Sequence, residues 1–93
     1  HYFNFGYTLH YWRTASGMEV DFVLYGKQGI KAIEVKRSAK INSHDLKGLR
    51  SFLQDYPTAK AYLVYGGQRR RWENGIELIP VQEFFHQIPK ILA

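Results

Sequence analysis

Apolar and polar residues alternate along much of the first third of the chain, and alternation with period two is the signature of strands. Residues 9–15 are rich in strand formers. Ser16-Gly17 is a turn signal, and residues 19–25 resume the alternation, so the two segments predict a hairpin. Gly26 and Gly29 bracket a second tight turn into residues 30–37, completing a three-stranded meander. The pattern then changes. Asn42 has the character of a helix N-cap, with Asp45 three residues on as its capping-box partner. Leu46, Leu49, Phe52 and Leu53 follow at helical spacing, and Pro57 stands beyond the helix end. Residues 60–66 are a short apolar run, read as a fourth strand. A strand-helix-strand unit predicts that this strand lies parallel to its neighbour. Arg69 to Arg71 are expected in a loop and Asn74-Gly75 in a turn. A last short strand is expected at 76–79 and a final helix over 81–88 after Pro80.

The alternation places charge in the middle of otherwise apolar strands. Glu19, Asp21 and Val23 are expected on one face of the second strand, with Val20, Phe22 and Leu24 on the other. On the third strand Glu34 and Lys36 share a face, opposite Ile33 and Val35. Folding these strands together brings two carboxylates and an ammonium to one spot. Hard oxygen donors of this kind suit Mg²⁺ or Mn²⁺. A bare Glu-x-Lys triplet is equally an ordinary half-exposed strand whose charges pair at the surface, for instance with Arg13. Glu19 is read either as an additional metal ligand or as a solvated residue at the strand's start. Lys31, on the face of Ile33 and Val35, is read as a strand-edge charge.

Composition narrows the classes. The 93 residues make one domain spanning 1–93, and a hydrophobic fraction of 45% with 16% aromatics supports a packed core. With no cysteine, disulfides and thiolate zinc sites are excluded. No apolar run approaches the roughly 18 residues of a membrane span and no signal peptide opens the chain, so a cytoplasmic location is expected. His1, His10, His44 and His86 lack paired metal spacing, and Ser16 and Ser43 have no nearby histidine at a recognised spacing. The net charge of +5 and pI near 9.6 favour a polyanionic partner. Arg69, Arg70 and Arg71, with Trp72 beside them, and Lys47 and Arg50 on the helix away from its apolar stripe, are the candidate nucleic-acid contacts; a solvated loop and helix face is the alternative. The aromatic segment at 1–8 and residues 11–12 form an alternative docking or dimerisation surface.

The order strand-strand-strand-helix-strand, with Asp21 on the second strand and Glu34-Val-Lys36 on the third, resembles the PD-(D/E)xK nuclease superfamily. The Glu19-Val-Asp21 triplet is similar to that of Holliday-junction resolvases and restriction-endonuclease-like domains. Tyr11-Trp-Arg-Thr14, Gly17-x-Glu-Val-Asp-Phe-Val-Leu24, Ile33-Glu-Val-Lys36, Gly75-Ile-x-x-Ile-Pro80 and Phe84-Phe85 resemble a C-terminal domain of unknown function carried by prokaryotic AAA+ ATPases. The resemblance implies an α/β domain with a restriction-endonuclease-like core: a three-stranded meander, a crossover helix and a parallel fourth strand in a mixed sheet. It implies metal binding by Asp21 and Glu34, with Lys36 assisting attack of water. DNA is the implied substrate, and an upstream ATPase module, outside this chain, the implied partner. Many superfamily members carry another acid on a helix before the first strand. None of the first eight residues is acidic, so truncation at the N-terminus is expected. The alternative function is a non-catalytic module of the ATPase that binds nucleic acid or protein.

Overall fold

The computed structural model describes residues 8–13, 19–27 and 29–92, and side chains within that span except those of Tyr11, Arg13, Glu19 and Leu92. The expected Ser16-Gly17 turn, the aromatic segment at 1–7 and the side chains of Glu19 and Arg13 lie outside the described part. Among the described residues six strands form one mixed sheet in the order β1-β2-β3-β4-β6-β5, with one α-helix on each face. Strands β1 (Thr8–Arg13), β2 (Glu19–Gly26) and β3 (Gly29–Lys36) make the antiparallel meander. Helix α1 (Lys47–Asp55) then carries the chain to β4 (Lys60–Tyr65), which pairs parallel to β3. Among the described residues no helix is long and apolar enough to cross a membrane.

The expected capping box starts this crossover. Asn42 Oδ1 accepts from the Asp45 backbone N–H at 3.1 Å, and Asp45 Oδ2 accepts from that of Asn42 at 3.0 Å. A short 3₁₀ turn, Ser43–Leu46, leads into α1. Leu46, Leu49 and Phe52 bury the helix against Val20, Val23, Ala32, Ala61, Leu63 and Leu78 of the sheet. Phe52 receives the ring of Trp12 edge-on at 5.3 Å and stacks on Tyr56 at 4.7 Å.

Beyond β4 the chain departs from the sequence expectation. Residues from Arg71 form an edge strand, β5 (Arg71–Glu73), so Arg71 stands in a strand rather than the loop. Asn74 and Gly75 take positive φ angles of 52° and 80°, the turn expected of Asn-Gly. Strand β6 (Ile76–Pro80) then returns between β5 and β4, parallel to β4. Every residue of β6 is buried, as suits a parallel strand covered on both faces. Helix α2 (Val81–Leu92) lies on the opposite face to α1 and packs Phe84, Ile88 and Ile91 on Ile33, Tyr62, Val64 and Ile79. It runs one turn past the expected end at Ile88, through Pro89. Proline removes a single intrahelical bond, and burial of Ile91 on the sheet holds the last turn.

Candidate functional site

The expected strict alternation of β2 fails at the residue that matters. His10 pairs with Val23 and Trp12 with Val20, so two residues of β2, Asp21 and Phe22, stand opposite the single residue between His10 and Trp12. This is a β-bulge, which re-aims a side chain. In consequence Val20 joins Val23 in the α1-side core instead of sharing the face of Leu24. The β2–β3 ladder runs from Gly26↔Gly29 to Phe22↔Ile33 and ends there. In place of the next rung, Asp21 Oδ2 accepts the backbone N–H of Val35 at 2.9 Å. Beyond Phe22, then, a side chain rather than the backbone ties β2 to β3. Its carboxylate is held against the residue next to Glu34.

Glu34 pairs across the sheet with Leu63 and is 8% exposed, on the face covered by α1. Glu34 is therefore buried rather than half-exposed. Lys36 follows on the same face at the end of β3, half-buried, with Tyr65 as its neighbour on β4. Among the described residues no group of three or more acidic or imidazole side chains gathers as a metal cage. The carboxylates that could hold an ion here are those of Asp21 and Glu34, and Mg²⁺ keeps several waters and is usually held by one or two protein carboxylates.

The loops leaving β3 and β4 meet at this end of the sheet. The Gly66 N–H donates to the Ser38 carbonyl at 3.1 Å. A Cβ at Gly66 would strike the Arg37 carbonyl, so the close approach requires glycine. Between the loops lies a pocket of about 690 Å³ lined by Lys40, Tyr65, Arg69, Arg70 and Arg71. Arg69 and Arg71 are exposed, and Arg37 and Lys40 add two further exposed cations to the same edge. Sequence reasoning passed over this last pair, although Lys36-Arg37 and Lys40 form a visible basic run. The Arg69 carbonyl accepts from the Tyr65 hydroxyl, which fastens the loop. Arg70 is engaged elsewhere: its Nε donates to the buried carboxylate of Glu77. On α1, Lys47 is exposed, while the guanidinium of Arg50 donates to the Ser43 carbonyl at 3.2 Å.

Ligands of open α/β sheets gather outside the carboxyl ends of the strands, where Lys36 and the exposed cations Arg37, Lys40, Arg69 and Arg71 lie. The described residues thus form an α/β domain built on a mixed six-stranded sheet, with Glu34 and Lys36 at the carboxyl end of β3 and the Asp21 carboxylate bonded to the Val35 backbone between them. The model of one family, a domain of unknown function designated DUF4143, matches residues 1–84, and the chain belongs to that family. No curated protein and no solved structure matches it.

Proposed function

We propose that the domain is a metal-dependent phosphodiesterase acting on DNA, with a restriction-endonuclease-like core. The observation that supports it is the Asp21–Val35 hydrogen bond, which brings the Asp21 carboxylate beside Glu34 where the β2–β3 ladder ends. Asp21 and Glu34 would hold Mg²⁺ or Mn²⁺, with Glu19 as a further candidate ligand. A bound divalent ion supplies a nucleophilic water at neutral pH and neutralises charge on the phosphoryl oxygens. Lys36 adds a positive charge where negative charge develops. Water adds to phosphorus, one P–O bond to a sugar oxygen breaks, and that oxygen takes the proton. Arg37, Lys40, Arg69 and Arg71 would grip the backbone phosphates. The site acts on DNA delivered by an upstream ATPase module of the same protein.

A second reading has its own support. The bond from Asp21 to Val35 already gives that acid a structural task, and the described residues offer no third metal-binding acid. On this reading the domain is a non-catalytic module that binds nucleic acid or protein for the ATPase. Mn²⁺ calorimetry separates the two. The nuclease reading expects binding in the wild type that is lost in Asp21→Asn and Glu34→Ala, together with Mn²⁺-dependent cleavage of linear or branched DNA. Asp21→Asn keeps an acceptor for Val35 while removing the charge, so its loss of binding is not a loss of fold. A folded wild type that takes up no Mn²⁺ overturns the nuclease reading. DNA binding that persists in chelator and falls on removing Arg69 and Arg71 favours the accessory module.

A further inference from the structure

Trp72 belongs to neither core. It stands on β5, the border strand of the sheet, and is 66% exposed. Its surroundings along the chain are cationic: Arg69, Arg70 and Arg71 precede it, and Glu73 is the one acid between Gly66 and Gly75. Glu77, its partner across the strand pair, is met by Arg70. Arg69 and Arg71, both exposed, are then the charges that a ligand reaches beside the indole. With Lys40 they line the pocket of about 690 Å³ at the carboxyl end of β4. Strand alternation sends Arg71 and Trp72 to opposite faces of the border. Arg71 also stands in the cross-strand row Arg71↔Leu78↔Leu63↔Glu34, three strand spacings or about 14 Å from Glu34.

This combination selects a partner. Cations beside a flat exposed ring match a chain that alternates phosphates with aromatic bases. A duplex offers the cations its phosphates but keeps its base faces stacked inside. Unpaired nucleotides offer both. We propose that the β5 border binds single-stranded DNA, with Arg69 and Arg71 on its phosphates and Trp72 stacked on an unpaired base. The proposal rests on the DNA reading for its ligand and not on cleavage. At a rise of roughly 3.4 Å per stacked nucleotide, the span from Arg71 to Glu34 corresponds to about four nucleotides. The substrate class it names is DNA with an unpaired segment a few nucleotides from Glu34.

The test is fluorescence anisotropy of labelled oligo(dT) of about 16 nucleotides, the upper site size of a single-strand-binding fold, against a duplex of the same length. The wild-type chain is titrated in chelator, so that no metal at Asp21 and Glu34 contributes. Oligo(dT) should bind more tightly than the duplex. Trp72→Ala should weaken oligo(dT) about fivefold or more through lost stacking and leave the duplex unchanged, and Trp72→Phe should restore most of the loss. Arg69→Gln and Arg71→Gln should weaken both ligands and each reduce the salt slope by about one. All three side chains are exposed, so these variants keep the fold. An oligo(dT) affinity unchanged in Trp72→Ala, or a duplex bound more tightly than oligo(dT), overturns the proposal and leaves the DNA reading standing. A tighter grip on oligo(rU) makes RNA the ligand and overturns it too. Failure to bind either DNA overturns the proposal and the DNA reading together.

Discussion

Strand β3 serves two unlike surfaces. Its carboxyl end presents Glu34 and Lys36 to the α1 side, where the β2–β3 ladder ends and Asp21 stands in for a backbone rung. Its amino end presents Lys31 to the α2 side, opposite Lys60 and below Lys90. A change of one position in parity separates an acid-bearing site from a basic one. The α1 side is held by a continuous apolar cluster around Phe52, whereas the α2 side has a smaller cluster and a pocket rimmed with charge. The lesson is that buried charge has different companions on the two sides. On the α1 side Glu34 lies buried beside the Asp21–Val35 bond, while on the α2 side the buried carboxylate of Glu77 is met by Arg70 and the lowered pKa of Lys31 reflects burial and the neighbouring Lys60.

The contrast is broken most severely at Phe52. Phe52→Ala removes the centre of the α1-side cluster and should lower stability by about 3–5 kcal/mol in urea unfolding. On the other side, Arg70→Ala strands the buried carboxylate of Glu77 and should cost about 2 kcal/mol, less than a wholly buried pair because Arg70 is partly exposed. Most of that loss should return in Arg70→Ala/Glu77→Leu. Recovery there would show that an arginine variant defective in DNA binding had failed through its fold. Asp21→Ala removes the Val35 partner and should cost about 1.5 kcal/mol, whereas Asp21→Asn should cost much less, both read by urea melts.

The smallest effect carries the opposite sign. Lys31→Met removes a desolvated charge facing Lys60, Lys90, Arg70 and Glu77, and should raise the melting temperature at pH 7. In the wild type the fold disfavours the charged lysine. Between its lowered pKa and 10.5 the unfolded chain therefore binds more protons than the native one, and stability rises with pH. The advantage of Lys31→Met over the wild type should shrink as pH climbs through that window. An advantage that stays constant with pH would assign the effect to packing alone.

Much of the fold is legible in the chain because its signals are local. The capping box at Asn42 and Asp45, the Asn74-Gly75 turn and the helical stripe from Leu46 each act within a few residues. The placing of Glu34 and Lys36 on one face of β3 was also readable, since it rests on strand parity alone. What escaped depends on pairing between distant segments. The bulge at Asp21 and Phe22 arises from register with β1, and no residue there announces it. Lys31 reads as an edge charge until β4 and α2 cover it. Residues 76–79 read as a closing strand, yet β6 lies inside the sheet, because a hairpin with β5 folds it back against β4. The final helix was expected to end at Ile88, but it continues through Pro89 to Leu92, with Ile91 buried on the sheet.

The position of β6 has a consequence for how the molecule is made. Synthesis delivers β4 well before its second neighbour, so a nascent chain that ends ahead of Ile76 has a strand apolar on both faces with one bare hydrogen-bonding edge. Such an edge is a template for pairing with other chains. Only when β5 and β6 emerge does the small charged strand Arg71–Glu73 take over the border and close it to strangers. A released fragment ending between Tyr65 and Ile76 therefore leaves that edge of β4 bare, and should aggregate more readily than a chain that carries β5 and β6.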